Sequence, residues 1–434
     1  MEKIVKKIVQ KILRHLAVKV IRKYKPFIIG ITGSVGKSST KEAIYVVLKD
    51  KFRVRRSLKN YNNELGLPLT ILGRMSPGKS LAGWLRVFWM AIGSIWFLEK
   101  TYPKILVLEM AADHPGDIKY LTKIAPCQVG VVTAIGPSHL EFFKNIENVI
   151  KEKQIIVSHL PSRGWAILNA DDPRVLAMKE KAEAKILTFG LSEKADVRAV
   201  EIEVEQDLSF TDYPKINGLR FKMKYSGSVV PVFLPKILNR SAIYSVLAAA
   251  AVGLIFDLNL IEISETLKDF ELPPGRMKPI IGFKNTLIID DTYNSSPKAT
   301  VAALETLEEI KVFSGAKKWV VLGDMLELGD SSENEHRKIG EIIAEKGFDY
   351  LLTFGQEVKY IAEGAKDSGM NEEKIKIFDN QQNLSQFLKN NLSSGDVILV
   401  KGSQGMRMEN IVKEIMAEPQ KARQLLVRQT EEWL

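Results

Sequence analysis

The chain has 434 residues, 45% of them hydrophobic and 26% charged, enough for two or three domains with full cores and typical of a soluble globular protein. A single cysteine, Cys127, excludes a disulfide framework and suits a reducing cytosol. The formal charge of +10 is concentrated: residues 1–25 hold seven Lys and two Arg against one Glu, the remainder is nearly neutral, and no nucleic-acid-binding signature accompanies it.

The arm, residues 1–25, carries its apolar residues in pairs: Ile4/Val5, Ile8/Val9, Ile12/Leu13, Leu16/Ala17 and Val20/Ile21. This predicts an amphipathic helix with a Lys/Arg face. A four-residue spacing overshoots the helical repeat, so the stripe drifts; the first four turns are cleanly amphipathic and the last two are not. The segment is charged throughout and lacks the continuous apolar stretch of a secretory leader. Two readings stand: peripheral attachment to the cytoplasmic face of a membrane, through the lysines and the stripe together, or packing on the domain that follows.

Phe27-Ile28-Ile29 reads as a buried strand, and the segment from Lys41 as a helix. Between them lies GITGSVGKSST, residues 30–40. The common phosphate-loop pattern needs glycine where Ile31 stands, and Gly30 sits one residue early. The fit is to T-G-S-x-G-K-S-[ST], over Thr32, Gly33, Ser34, Val35, Gly36, Lys37, Ser38 and Ser39. Gly33 and Gly36 permit a tight loop with its amides turned to phosphate oxygens, Lys37 reaches the terminal phosphates, and the Ser38 hydroxyl suits Mg²⁺. The chain is expected to bind a nucleoside triphosphate.

Residues 81–98, LAGWLRVFWMAIGSIWFL, form an apolar run with one charge, Arg86, and three Trp. As a helix it is just short of a bilayer core. A membrane-interface or partner-binding helix, a buried interdomain helix and a true span are the three readings.

Strand and helix signals then alternate to about residue 270, with buried parallel strands expected at 27–32, 105–110, 128–133 and 165–169. Residues 197–235 alternate as a small antiparallel sheet does, and a helix is expected at 241–256. Pro273-Pro274-Gly275 marks a boundary. Beyond it, strands near 286–291, 318–323, 349–354, 374–378 and 396–401, each followed by a helix, predict a doubly wound, Rossmann-like sheet. The expected division is a basic helix at 1–25, a central domain at 26–272 with an apolar insertion at about 78–100, and a C-terminal domain at 273–434.

Polar residues cluster at strand ends, where α/β enzymes bind ligands. Glu109 ends ILVLEM, and a carboxylate there can hold Mg²⁺ beside the loop or simply be solvated. His139 and Lys153 follow the next strand, with structural and surface roles as their plain alternatives. Asn62 and Asn63 lie in a loop, and Arg276, Asp290/Asp291 and Lys401 sit at polar ends in the second domain.

Together these segments resemble the Mur ligases, most closely the MurF type: TGSVGKSST, NYNNELGLPLTIL, LEMAADHPGDI, AIGPSHLEFF with KEKQI, LNADDP, PPGRM, IIDDTYNSSP, VLGDMLELG with His336, and VKGSQGMRM, in order over residues 27–415. The resemblance implies an α/β fold with a central ATP-binding domain and a C-terminal ligase domain. It implies that Lys37 and the loop amides bind ATP, that Ser38 and Glu109 hold one Mg²⁺, and that His139 and Glu109 help hold a second. Lys153 stands where the family carries a carbamylated lysine. Asn63 is implied near the triphosphate, Asp171/Asp172 near the nucleotide pocket, and Arg276 and Asp291 closing over ATP. Asn294, Glu327 and Lys401 are the implied substrate-side residues.

The implied reaction activates a carboxylate as an acyl phosphate, which an amine displaces to form an amide. The leading specificity is addition of a D-Ala-D-Ala-type dipeptide to a UDP-muramoyl-peptide cell-wall precursor. The alternatives are another amino acid on a different, membrane-bound precursor, and a nucleotide-dependent membrane adaptor without ligase chemistry. Two departures stand out. Ser241-Ala242-Ile243-Tyr244-Ser245 replaces the family's HN-x-x-N, so base recognition is expected to differ, and the family's N-terminal UDP-sugar domain is expected to be lacking, with the basic arm in its place. The expected location is cytoplasmic, peripheral on the inner membrane face.

Overall fold

The computed structural model describes residues 2–57, 61–78, 80–97, 99–136, 140–207 and 215–429. The central half is built on nine strands: β1 (Phe27–Thr32), β2 (Val54–Arg56), β3 (Ile105–Glu109), β4 (Val129–Val132), β5 (Trp165–Asn169), β6 (Lys185–Gly190), β7 (Val197–Asp207), β8 (Lys215–Tyr225) and β9 (Ser228–Pro235). Their order is β2-β3-β1-β4-β5-β6-β7-β8-β9, parallel from β2 to β7 and antiparallel thereafter. The expected antiparallel strands are present, and the pairs Phe189↔Val197 and Gly190↔Arg198 join them to the parallel sheet.

The helices of this half are α1 (Glu2–Tyr24), α2 (Lys37–Lys49), α3 (Gly66–Leu72), α4 (Leu81–Trp96), α5 (Asp117–Ile124), the one-turn α6 (Leu140–Phe143), α7 (Ile146–Ser158), the one-turn α8 (Pro173–Leu176), α9 (Ser241–Ile255) and α10 (Leu260–Thr266). Alternate residues of β1 and β3 face opposite ways, so both faces of the sheet must be covered. Ile29, Ile31 and Val107 pack with α2 and α9, whereas Ile28, Leu106 and Leu108 pack with α1, α3, α5 and α7.

Helix α1 follows the packing reading over its later turns. Leu13, Ala17 and Val20 are fully buried and Leu16 nearly so, among Leu67, Ile71, Val87 and Tyr102. The drift of the stripe turns these four residues, and not Ile8 or Ile12, toward the sheet, so the later part of the arm's apolar stripe is taken up by the protein. Its last turn clamps α4: Lys23 Nζ donates to the carbonyls of Ser94 (3.1 Å), Ile95 (2.9 Å) and Phe97 (2.6 Å), and Tyr24 Oη donates to Ser94 O at 2.8 Å. A cation at a helix C-terminus satisfies carbonyls that have no partner within the helix. Helix α4 is 16 residues long, and among the described residues no helix is long and apolar enough to cross a membrane, which removes the spanning reading.

After Pro273-Pro274-Gly275 the second sheet runs β10 (Lys278–Gly282), β11 (Thr286–Asp291), β12 (Lys318–Gly323), β13 (Tyr350–Phe354), β14 (Ile375–Phe378) and β15 (Val397–Lys401). The order is β10-β11-β15-β12-β13-β14, with only β10 antiparallel. Helices α11 (Pro297–Glu309), α12 (Ser332–Glu345), α13 (Lys359–Asp367) and α14 (Gln381–Asn391) connect the strands, and α15 (Glu409–Ile415) follows the last of them. The central pair β11–β15 ends in Asp291 and Lys401, side by side in register. Both parallel sheets therefore present their carboxyl ends to one interdomain cleft.

Candidate functional site

The phosphate loop leaves β1 at Thr32 and enters α2 at Lys37. Gly33 (φ 145°) and Gly36 (φ 88°) occupy the backbone region that side chains avoid, and a Cβ on Gly33 would lie 2.0 Å from Thr133 Oγ1. The loop after β4 braces it. Ser34 N donates to Ala134 O (2.7 Å), Ser34 Oγ donates to Gly136 O (3.0 Å), and Thr133 Oγ1 donates to Val35 O (2.6 Å). Thr32 is turned away, donating to Met110 O. Gly30 serves packing within β1 and is not part of the loop, since a Cβ there would lie 2.5 Å from Cys127 Sγ.

Lys37 Nζ donates to Gly33 O at 2.7 Å, which lays its ammonium across the loop. Burial lowers its pKa, Glu109 opposes that, and Arg276 adds to the lowering. Ser38 Oγ donates to Glu109 Oε2 at 3.0 Å, and Glu109 is only 2% exposed. Two hard oxygens beside the amide-lined loop fit Mg²⁺, which takes few protein ligands and completes its shell with water and phosphate oxygens. Among the described residues no group of three or more His, Cys, Asp or Glu side chains is placed to hold a metal; His139 lies outside the described residues.

The two asparagines divide their work. Asn62 Nδ2 donates to Glu109 Oε1 (3.1 Å), whereas Asn63 Oδ1 accepts from the amides of Leu65 and Gly66 and so starts α3. Asn62 is thus the side chain that reaches Glu109. Lys153 on α7 is 2% exposed, and burial, aided by Lys37, brings its pKa down to about 7. Beside it Glu152 accepts from Gly116 N and Ile118 N at 2.7 Å each, holding the start of α5.

The second domain closes on this loop. Arg276 Nη2 is 3.5 Å from Ser38 Oγ, and its guanidinium lies over the Tyr293 ring, 4.0 Å from the centroid. Lys401 Nζ donates to Asp291 Oδ2 (2.6 Å) and to Asn294 O (2.9 Å), and Asp291 Oδ1 accepts from Met277 N (3.1 Å). Between the domains is a cavity of about 430 Å³, lined by Ser34, Ser39, Asp171, Asp172, Tyr244, Asp291, Asn294 and Lys401 among others. Its far wall differs from the expected pattern: Tyr244 Oη donates to Asp171 Oδ2 (3.1 Å), and Ser245 Oγ accepts from Thr40 Oγ1 (3.2 Å). Glu327, exposed on the loop after β12 at φ 64°, does not line this cavity. His336 is fully buried. Its Nε2 accepts from Met325 N (3.0 Å), so Nδ1 carries the proton and donates to Ser332 O (2.7 Å), shaping that loop from behind.

The family model for the Mur ligase middle domain matches residues 31–81 and 94–252, and that for the Mur ligase glutamate ligase domain matches residues 275–404. The chain belongs to the Mur ligase family. It is an ATP-dependent ligase that forms C–N bonds. A UDP-N-acetylmuramoyl-tripeptide–D-alanyl-D-alanine ligase from Bacillus subtilis is 30% identical over 407 residues, 94% of this chain and 79% of that one. The MurF ligase of Thermotoga maritima, solved with ADP, superimposes with a TM-score of 0.76 at 28% identity, covering 95% of this chain and 84% of that one. MurF from Acinetobacter baumannii gives a TM-score of 0.76 at 27% identity, covering 92% and 79%.

Proposed function

We propose that this Mur ligase joins a D-alanyl-D-alanine dipeptide to a UDP-muramoyl-tripeptide precursor, at the cytoplasmic face of a membrane. The observation that carries the ligase reading is Arg276: a side chain from the second domain reaches Ser38 in the phosphate loop of the first, beside buried Glu109. That supports a site completed by domain closure, as chemistry through a water-sensitive acyl phosphate requires. The relatives' names support the substrates.

In this reading the loop amides and Lys37 hold the ATP phosphates, and Arg276, with Tyr293 behind it, covers them. The precursor carboxylate attacks the γ-phosphorus, ADP leaves, and the dipeptide amine then displaces phosphate from the acyl carbon. Ser38 and Glu109, with His139 and Lys153, are the residues for Mg²⁺, which neutralises phosphate charge when bound. Lys153, buried and held near neutrality, is a nucleophilic amine at pH 8, which supports its conversion to a carbamate. Asn294 and Lys401 face the cleft where the amine enters. In an assay with ATP, Mg²⁺, the dipeptide and UDP-muramoyl-tripeptide, mass spectrometry is expected to show a product heavier by the dipeptide less water, with phosphate released only when both partners are present. Phosphate release indifferent to either partner, without product, overturns the reading.

A further inference from the structure

Helix α4 is the part of the molecule that the ligase reading leaves without a role. It falls where the middle-domain match is interrupted, between residues 81 and 94. Its inner side, Val87 and Ala91 with half-buried Trp84, Phe88 and Ile95, belongs to the core. Its outer side is apolar as well: Leu81, Leu85, Trp89 and Trp96 are 69–79% exposed, and Ile92 is 41% exposed. At the helical repeat these five residues fall within an arc of about 80°. Phe97, 78% exposed, extends the stripe past the helix end. So contiguous an apolar face, with two indoles on it, marks a contact surface.

The neighbouring helix identifies the contact. The exposed side of α1 carries Lys7, Lys11, Arg14, Lys19 and Arg22, opposite its buried Leu13, Leu16, Ala17 and Val20. Through Lys23 and Tyr24, its last turns are bonded to the last turn of α4. Lys19, Arg22 and Lys25 are exposed at the end of α1 that is bonded to the end of α4 bearing Trp96 and Phe97. A second copy of the chain would bring the same positive charge against itself in a two-fold contact. A surface with an apolar interior and anionic headgroups satisfies both helices at once.

We infer that the α1–α4 pair docks the enzyme on an anionic lipid bilayer, with α4 supplying the inserted tryptophan face and α1 the charge. This deepens the reading of a ligase at the membrane face, and rests on it. Leu13, Leu16, Ala17 and Val20 of α1 are already in the core, so they do not enter lipid; Trp89 and Trp96 do.

The test uses the full chain with vesicles of phosphatidylcholine alone, or with a third phosphatidylglycerol, followed by flotation and tryptophan emission. Binding and a blue shift are expected only with the anionic vesicles. Trp89→Ser with Trp96→Ser is expected to weaken binding at least about tenfold, since two inserted indoles are lost. Lys11→Glu with Lys19→Glu and Arg22→Glu is expected to weaken it about a hundredfold or more, at roughly fivefold per basic residue. Failure to bind anionic vesicles, equal binding to both compositions, or a tryptophan pair that binds as the parent does each overturns the inference. So does a dimer in sedimentation velocity that the tryptophan pair dissolves. Ligation of the soluble precursor, measured without vesicles in every variant, is expected to match the parent. Its absence in the parent counts against the ligase reading alone, and lost vesicle binding with ligation intact counts against the lipid inference alone.

Discussion

Lys401 Nζ and Asp291 Oδ2 stand 2.6 Å apart at the ends of two neighbouring parallel strands, both buried and both at the rim of the cleft. The pair holds three segments together, because the lysine also holds Asn294 O and the carboxylate also holds Met277 N. Removing one partner leaves an uncompensated buried charge. Lys401→Met is therefore expected to lower unfolding free energy by about 3 kcal/mol, and Lys401→Met with Asp291→Asn to recover part of that. Urea denaturation of the single and double variants measures both. Ligation is expected to be lost in each, since Asn294 loses its anchor.

Lys153 is expected to make the activity pH-dependent. Its pKa near 7 means that the amine is cationic below that pH and nucleophilic above it. In the unfolded chain the same amine keeps its proton to about 10.5, so between pH 7 and 10.5 the unfolded state binds more protons than the folded one, and stability is expected to rise with pH across that window. Ligation is expected to climb as pH rises through 7 and to fall when bicarbonate is stripped from the buffer. Labelled ¹³C-bicarbonate at pH 8 is expected to give a carbamate carbon resonance that is absent in Lys153→Arg, because a guanidinium does not carbamylate.

Gly30 and Cys127 form a size-matched pair across β1. Gly30→Ala is expected to cost about 1–3 kcal/mol by overpacking. Adding Cys127→Ala makes room for the new methyl and is expected to restore most of the loss. Nucleotide binding by titration calorimetry should be unchanged in the double variant, whereas Gly33→Ala, strained and in collision with Thr133, should abolish it.

Arg428 is a positioning residue that carries no sequence signal. It donates to Thr292 O (2.6 Å) through Nη2 and to Tyr293 O (3.1 Å) through Nη1, while Nε and Nη2 hold fully buried Glu409. It thereby fixes the ring on which Arg276 lies. Burial works against the ionised form of Glu409, but its bonds to Arg428 and Arg407 keep its pKa below the usual range. Arg428→Met is expected to raise the KM for ATP about tenfold, equivalent to about 1.4 kcal/mol, with a smaller change in kcat. A fall in kcat with KM unchanged would assign Arg428 a different role.

The second domain is the more legible half. Strands β11 and β12 fall at the expected residues, and β13, β14 and β15 within one residue of theirs, because short β-branched runs there end in polar residues. The three-residue β2 is not legible: VRR has no alternation to read, and only pairing with β3 makes it a strand. Strand β6 lies among charged and small residues that carry little pattern. In the site, the residue types point to Lys37, Ser38, Glu109 and Arg276, but not to which of two adjacent asparagines turns toward Glu109. The backbone bend that opens α3 takes Asn63 for its own amides, and local hydrogen bonds of that kind leave no periodic trace. Tyr293 escapes a sequence reading for a related reason: a stacking platform has no fixed spacing from the cation it supports.

One amine, that of Lys23, donates to the last carbonyls of α4, and this sets how the surface of the protein breathes. The end of α4 is expected not to open independently of α1, because opening it breaks three bonds that begin on α1. Hydrogen exchange in the two segments should therefore keep one common rate. Acetylation of that lysine should split the rate in two and free the tryptophan-bearing tip while the ATP cleft at the strands' carboxyl ends stays shut.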